Sequence, residues 1–347
     1  MPPAVAYRRL GRDRAEPGAV GLVVQAAYHL DEFLPLRNAL GDLGIGADIL
    51  VPIPPTKALN RFRPGVRRFR ELLATTDLPL GEVFEETDLA ERLSSVVVLN
   101  DWGVPGPLVA SLRAAGRPTF AWVEGVQDFH DVDTGQERRA YRHVDHVFCL
   151  GSYGAAQLPE MERTVVGSER LRRLWARPPV EPTRPRVVVN SNFTYGVQTE
   201  HRRGWVRSVT GACSDAQIAW VLSRHTAERG TSWPHRRSRL DIGDLLDDSS
   251  HLVGRFSTVC YEALVRGVEL TYHNPHGERE PTFGDARGAF QHTDSRASLA
   301  HRLRVPARSR AQVRDGAEDF LRHHLRLDDG PSPAALAAAV ISDAFRS

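Results

Sequence analysis

Short apolar runs rich in β-branched and aromatic residues alternate with helix-length amphipathic stretches, and this alternation restricts the chain to an α/β fold more firmly than any other feature. Strands are predicted at Val20 to Gln25, Ala47 to Pro52, Ser95 to Leu99, Thr119 to Val123 and His146 to Leu150, with helices at Asp31 to Leu43 and Pro107 to Ala115. Runs apolar on both faces belong to parallel strands covered by helices. The stretch Arg177 to Pro185, RPPVEPTRP, carries four prolines, which disfavour helix and central strand and make a semi-rigid connector. Beyond it the pattern restarts: strand Val187 to Asn190, helix Glu200 to Cys213, strand Ile218 to Leu222, a polar stretch to Ile242, a strand–turn–helix–strand unit, and an alanine-rich helix at Pro333 to Phe345. With 347 residues, 41% of them hydrophobic, the chain has material for two cores. The expected division is residues 1–177, a linker at 178–185, and residues 186–347 including the C-terminal helix. Each half would be a Rossmann-like domain, the two parallel sheets facing a central cleft.

Partner choice has to be local, because 45 basic and 43 acidic side chains leave a formal charge of only +2 and no general attraction to nucleic acid or membrane. Cys149, Cys213 and Cys260 are far apart in apolar surroundings, as reduced core residues are. The N-terminus lacks a signal-type apolar run and nowhere do 18 apolar residues follow one another, so a cytoplasmic protein without a transmembrane segment is expected. Neither a P-loop nor a Gly-x-Ser-x-Gly elbow is present, and Gly41, Gly44 and Gly46 end a helix instead of forming a dinucleotide fingerprint.

The residues that carry chemistry fall at predicted strand ends, where open parallel sheets bind ligands. In LVGRFSTVCYEALVRGVELTYHNPH, Leu252 to His276, the strand formers Leu252, Val253 and Phe256 precede a turn in which Ser257 and Thr258 cap a helix that Gly267 ends. The helix N-terminus, with its unpaired N–H groups and partial positive charge, suits a phosphate, and Glu262 one turn later suits ribose hydroxyls. An ordinary N-cap and a surface acid would explain the same spacing. Glu124 and Asp128 follow the strand ending at Val123, and Glu124 is the candidate general base with Asp128 in reserve. Asn100-Asp101-Trp102-Gly103 offers Asp101 and Trp102 for a sugar acceptor. Asn190 and Asn192 sit in a polar strand-end loop, Arg224 and His225 follow another strand, Arg255 precedes the phosphate turn, and His273 ends the next strand; all six are donor-site candidates, His225 also as a catalytic group. Asp131-Val132-Asp133, with His130, His143, Asp145 and His146 nearby, has the composition of a divalent-cation site, although no metal is expected. The segment Arg61 to Arg70 is basic with two phenylalanines, a pattern compatible with peripheral contact with an anionic lipid or glycan.

The run STVCYEALVRG followed by a strand resembles the donor-side motif of GT-B glycosyltransferases and of related bacterial capsule, teichoic-acid and polysialyltransferase-like surface-polymer enzymes. Val123-Glu124-Gly125 resembles the acid-acid-glycine base motif of the polysialyltransferase-like pattern with the first acid missing, and His225 is followed by Thr226 where that pattern has proline. The resemblance implies a metal-independent transferase without a cofactor, acting on a nucleotide-sugar donor held by the second domain and a glycan or lipid-linked acceptor held by the first, in synthesis of a bacterial surface polysaccharide. A lipid-linked acceptor would draw it to the inner face of the membrane. Transfer of a polyol phosphate from a CDP-glycerol-type donor, 2-epimerisation of a nucleotide sugar, and non-catalytic binding of nucleotide or glycan are the alternatives on the same architecture.

Overall fold

The computed structural model describes residues 5–11, 18–53, 74, 78–101, 103–126, 141–183, 185–193, 198–223, 238 and 240–346. They form two compact units: the described residues up to 126, of 141–170 and of 324–346 make the first, and those of 171–323 the second.

The first unit contains strands β1 (Ala6–Leu10), β2 (Val20–Val23), β3 (Ala47–Ile53), β4 (Leu80–Glu85), β5 (Ser95–Val98), β6 (Thr119–Trp122), β7 (His146–Cys149) and β8 (Glu162–Val165). They form one sheet in the order β4-β1-β3-β2-β5-β6-β7-β8. The strands from β3 to β8 pair in parallel, as the sequence pattern requires. The parallel expectation fails at the edge, where β1 runs antiparallel to both β3 and β4. Arg8 and Arg9 break the apolar period of β1, and β4 is largely exposed, so neither showed a buried-strand pattern. Helices α1 (Leu30–Asp42), α2 (Glu86–Arg92), α3 (Gly106–Ala114) and α4 (Ser152–Ala156) connect the strands, and α5 (Glu169–Trp175) spans the change from the first unit to the second. β2 and β5 are buried throughout, which is why they read as uninterrupted apolar runs.

The second unit is a fully parallel sheet of β9 (Val187–Asn190), β10 (Trp220–Ser223), β11 (His251–Gly254), β12 (Glu269–His273) and β13 (Gln291–Thr293), ordered β10-β9-β11-β12-β13. Its helices are α6 (Arg202–Asp215), α7 (Ile242–Asp247), α8 (Thr258–Val265), α9 (Pro281–Gly284), α10 (Arg296–Arg304) and α11 (Arg310–His324). Val187, Val189, Leu222 and Val253 from the sheet pack with Trp205, Val209 and Cys213 of α6 and Leu299 and Leu303 of α10 in a dry core. Phe256 lies beyond the end of β11, so the strand of the phosphate-turn unit ends two residues earlier than Leu252 to Phe256 suggests.

Both expected boundaries shift. The division between the units falls after residue 170, not in the proline-rich stretch, and the C-terminal segment belongs to the first unit, not the second. The chain re-enters the first unit beneath Gly151, where a β-carbon would lie 2.3 Å from the His324 carbonyl carbon, and the Arg326 amide donates to the Leu150 carbonyl at 2.7 Å. The last helix, α12 (Pro333–Ala344), then packs on α1. Its buried face is Ala334, Ala337, Ala338 and Ile341, small enough for close approach, and the Ala334 amide donates to the Glu169 carboxylate at 2.9 Å.

Candidate functional site

In each unit the chain builds one flank of the sheet and then crosses to the other, leaving a switch point between β2 and β5 in the first and between β9 and β11 in the second. Loops leaving neighbouring strands there diverge and open a crevice at the carboxyl edge, the usual ligand position in open α/β sheets.

At the first edge the chain leaves β2 through Gln25 and a single 3-10 turn, Ala27–His29. His29 is buried, and its Nδ1 accepts the Gln25 amide at 3.2 Å. The ring proton therefore sits on Nε2, which lies 3.3 Å from Oε1 of Glu124, two residues past the end of β6. The Tyr28 hydroxyl donates to the same oxygen, with its ring edge-on to His29 at 4.7 Å. The Glu124 side chain is 28% exposed, so this carboxylate meets solvent at a strand end while two donors fix one of its oxygens. Asn100, after β5, donates to the Gln25 side chain at 3.4 Å, which ties together the two loops of the switch point. Sequence reasoning reached Glu124 but passed over Tyr28 and His29, whose one visible signal was their position just beyond the apolar run ending at Gln25.

Asp101 does not serve as an acceptor contact. It is 1% exposed, and its two oxygens accept the Tyr141 and His143 amides, each at 2.5 Å. Its role is to hold the segment entering β7, and Tyr141, left-handed at φ 77°, braces the same segment by donating to the Leu99 carbonyl at 3.1 Å. Trp102 and Asp128 lie outside the described residues, as do His130, Asp131 and Asp133. Asp145 accepts the Thr119 amide and hydroxyl at 3.0 and 2.8 Å, and His146 Nε2 is 3.0 Å from the Thr164 hydroxyl, so both serve the sheet. Among the described residues no three His, Cys, Asp or Glu side chains gather as a metal site.

At the second edge the loops after β9 and β11 lie together, with β9 standing between β10 and β11. Ser257 caps α8, its hydroxyl accepting the Val259 amide at 3.2 Å, and Gly267 ends the helix at φ +75°. The Cys260 amide is taken by the Ser257 carbonyl at 3.0 Å, so Thr258 begins a helix that offers an anion its dipole more than a row of open amides. Glu262 is 5% exposed, which rules out the surface-acid explanation. Asn190, at the tip of β9, is 4% exposed and its Oδ1 has no partner among the described residues, as befits an atom left for a ligand. Asn192 donates its side-chain amide to the Phe256 carbonyl, joining the two loops.

Two donor-site expectations are corrected here. Arg255 is 3% exposed and spent within the protein: Nε donates to Glu278 at 3.0 Å, Nη2 donates to the same oxygen, Nη1 donates to the Asn192 carbonyl, and the guanidinium lies 4.2 Å over the Phe193 ring. It shapes the loops and leaves no face for a phosphate. His273 is fully buried, its Nδ1 2.9 Å from the Thr293 hydroxyl and its Nε2 2.9 Å from the Ser208 hydroxyl. Burial, helped by nearby His276, lowers its pKa to about 4, so it is a neutral core residue and not a ligand contact. Arg224 and His225 lie outside the described residues.

Glu278 closes the strand-end stretch Tyr272 to Glu278, whose polar residues suit contact with a base or ribose. Burial alone would raise its carboxyl, but His276, Arg255 and Tyr272 together hold it down to about 2, so it is a carboxylate at any working pH. It lines a depression of about 420 Å³ at the carboxyl end of β12 that opens beside Asn274, Arg279 and His292, not over Ser257 and Thr258. The cysteines take no part in chemistry, since burial raises Cys149 to about 11, Cys213 to about 12 and Cys260 further still.

Known structures of this shape span nearly the whole chain. The UDP-GlcNAc 2-epimerase of Methanocaldococcus jannaschii, solved with UDP-GlcNAc and UDP, is similar over 94% of this chain and 99% of its own, with a TM-score of 0.56 at 12% identity. The enzyme of the same name from Neisseria meningitidis, bound to UDP-GlcNAc, gives 0.56 at 10% identity over the same shares. The wall teichoic acid polymerase TagF gives 0.54 at 10% identity over 96% of this chain and 90% of its own. The fold is GT-B. This GT-B chain consists of two Rossmann-like units with parallel sheets, as its strand pattern indicated. No family model and no curated protein matches the sequence. Among the described residues no helix of this GT-B chain is long and apolar enough to cross a membrane.

Proposed function

We propose that the chain is a glycosyltransferase that moves a sugar from a nucleotide-sugar donor to a hydroxyl of a glycan or lipid-linked acceptor in the cytoplasm, as a step in bacterial surface-polysaccharide synthesis. The observation that carries this is the partly exposed Glu124 carboxylate, fixed by His29 and Tyr28 at the switch point of a GT-B sheet. In the reaction the acceptor oxygen bonds to the anomeric carbon, the bond from that carbon to the diphosphate breaks, and the acceptor proton passes to Glu124, with Asp128 in reserve. In the second unit the Ser257–Thr258 helix end, with Arg224 and His225, takes the charge of the leaving diphosphate, and Asn190, Asn192 and Glu262 hold the nucleoside. No cofactor or metal is invoked.

Transfer of glycerol phosphate from a CDP donor is the nearest alternative and would use the same groups. The phenol of Tyr28 against Glu124 favours a second one: a carboxylate and a hydroxyl on one rim are an acid–base pair of the kind that a nucleotide-sugar 2-epimerase needs. Thermal denaturation against UDP, CDP, GDP, CMP and their sugar or glycerol conjugates tests the donor site. Stabilisation by one nucleotide, lost in Ser257→Ala and His225→Ala, is the expected result. Absence of stabilisation by every nucleotide would sink the transferase and the epimerase together, and turnover of a UDP-sugar without acceptor would favour the epimerase.

A further inference from the structure

Glu278 sits in the loop after β12 with its side chain 5% exposed. A carboxylate this deep is costly unless its lone pairs are filled, and here they are filled from several directions. The Tyr272 hydroxyl donates to Oε1 at 2.5 Å, while Oε2 receives Arg255 Nε at 3.0 Å, Arg255 Nη2, and His276 Nε2 at 3.2 Å. Its own peptide is locked by a reciprocal pair with the Asn274 side chain, Nδ2 donating to the Glu278 carbonyl at 2.7 Å and the Glu278 N–H donating to Oδ1 at 2.8 Å.

What Glu278 holds matters more than the stability it adds. Arg255 passes the constraint on through Nη1 to the Asn192 carbonyl, and the Asn192 side chain donates to the Phe256 carbonyl, next to the Ser257 cap. The contacts close a ring through the loops after β9, β11 and β12. That ring frames the switch point of the second sheet, where Asn190 Oδ1 has no partner among the described residues. A buried apolar cluster would pack as well as this ion pair, but only a planar guanidinium gripped on one edge by a carboxylate fixes the angle at which its other edge meets a loop.

We propose that Glu278 is a positioning residue of the nucleotide site, clamping Arg255 so that the Asn192 loop and the Phe256–Ser257 turn keep the spacing a nucleotide needs. The proposal rests on the second unit being the nucleotide-binding unit. Calorimetric titration of the full chain with UDP and with CDP tests it, for wild type, Glu278→Gln, Tyr272→Phe, Arg255→Gln and the Glu278→Gln/Arg255→Gln double variant, with thermal denaturation of each alongside. The affinity of folded Glu278→Gln is expected to fall roughly tenfold or more, and the double variant to bind no worse than its weaker parent, because one clamp has been removed twice. Unchanged affinity in both Glu278→Gln and Tyr272→Phe, with only a lower melting temperature, overturns the proposal and leaves the nucleotide site intact. A wild-type chain that binds neither nucleotide removes the nucleotide-site reading itself. Should Glu278→Gln fail to fold, Tyr272→Phe decides: it keeps the ring stacked on Phe283 at 5.3 Å, drops one bond to the carboxylate, and is expected to bind about threefold or more weakly.

Discussion

Asp101 and Glu124 are two acids at neighbouring strand ends with opposite duties, and the difference lies in what faces each of them. Two amides fill the oxygens of Asp101, whereas side-chain donors meet one oxygen of Glu124 at a partly exposed position. Asp101→Ala should therefore cost stability, about 1–3 kcal/mol for the buried Tyr141 amide and the part-buried His143 amide left without an acceptor, and leave nucleotide binding unchanged; denaturant unfolding and titration measure the two effects separately. The sequence placed both acids at strand ends correctly, since strand ends follow from apolar runs. It could not sort them, because the amides of Tyr141 and His143 come from some forty residues downstream and have no local signal. The same limit misassigned Arg255, whose carboxylate partner Glu278 lies 23 residues along the chain.

Among the elements, α8 and its turn were the most legible, because capping is local chemistry. Ser257 and Gly267 bound the helix as their residue types require. Ser257→Ala should lower stability by about 1 kcal/mol for the lost cap. Gly267→Ala should be worse, by roughly 2 kcal/mol or more: the backbone is left-handed there, and a β-carbon would fall 2.3 Å from the Arg310 carbonyl oxygen. Equal melting temperatures for the two variants would contradict this ordering. The strands β2, β3, β5 to β7 and β9 to β12 were legible to within a residue or two, continuous apolar runs being the mark of strands covered on both faces, while β8 and β13, with exposed residues, were not. Neither were β1, whose arginines break its apolar run, and the exposed edge strand β4. The C-terminal helix was found in sequence, but its partner was not, because an alanine face fits any closely approaching helix; packing on α1 is a tertiary choice.

For the molecule as a whole, the strongest pH effect comes from the second unit. His251 and His273 are both held near 4 by burial, so each binds a proton in the unfolded chain near pH 6.5 but not in the folded one until about pH 4. Their stabilisation is complete above pH 6.5 and is lost as pH falls through that window, on the order of 3 kcal/mol for each group. In the first unit Glu32, raised by burial despite bonds from Ser168 and the Glu169 amide, acts in the opposite direction. Hydrogen exchange at pH 7 and pH 5 should show protection falling mainly within 171–323, and a uniform loss across both units would contradict the assignment. We propose that this GT-B chain is a working transferase with Glu124 as its base. The most direct test is release of nucleoside diphosphate from a nucleotide sugar, with and without a glycan acceptor, by wild type and Glu124→Gln. The account predicts acceptor-dependent release that falls about 10²–10⁴-fold in the variant while nucleotide affinity is unchanged. Release at the same rate in both proteins, or in neither despite tight nucleotide binding, would contradict it.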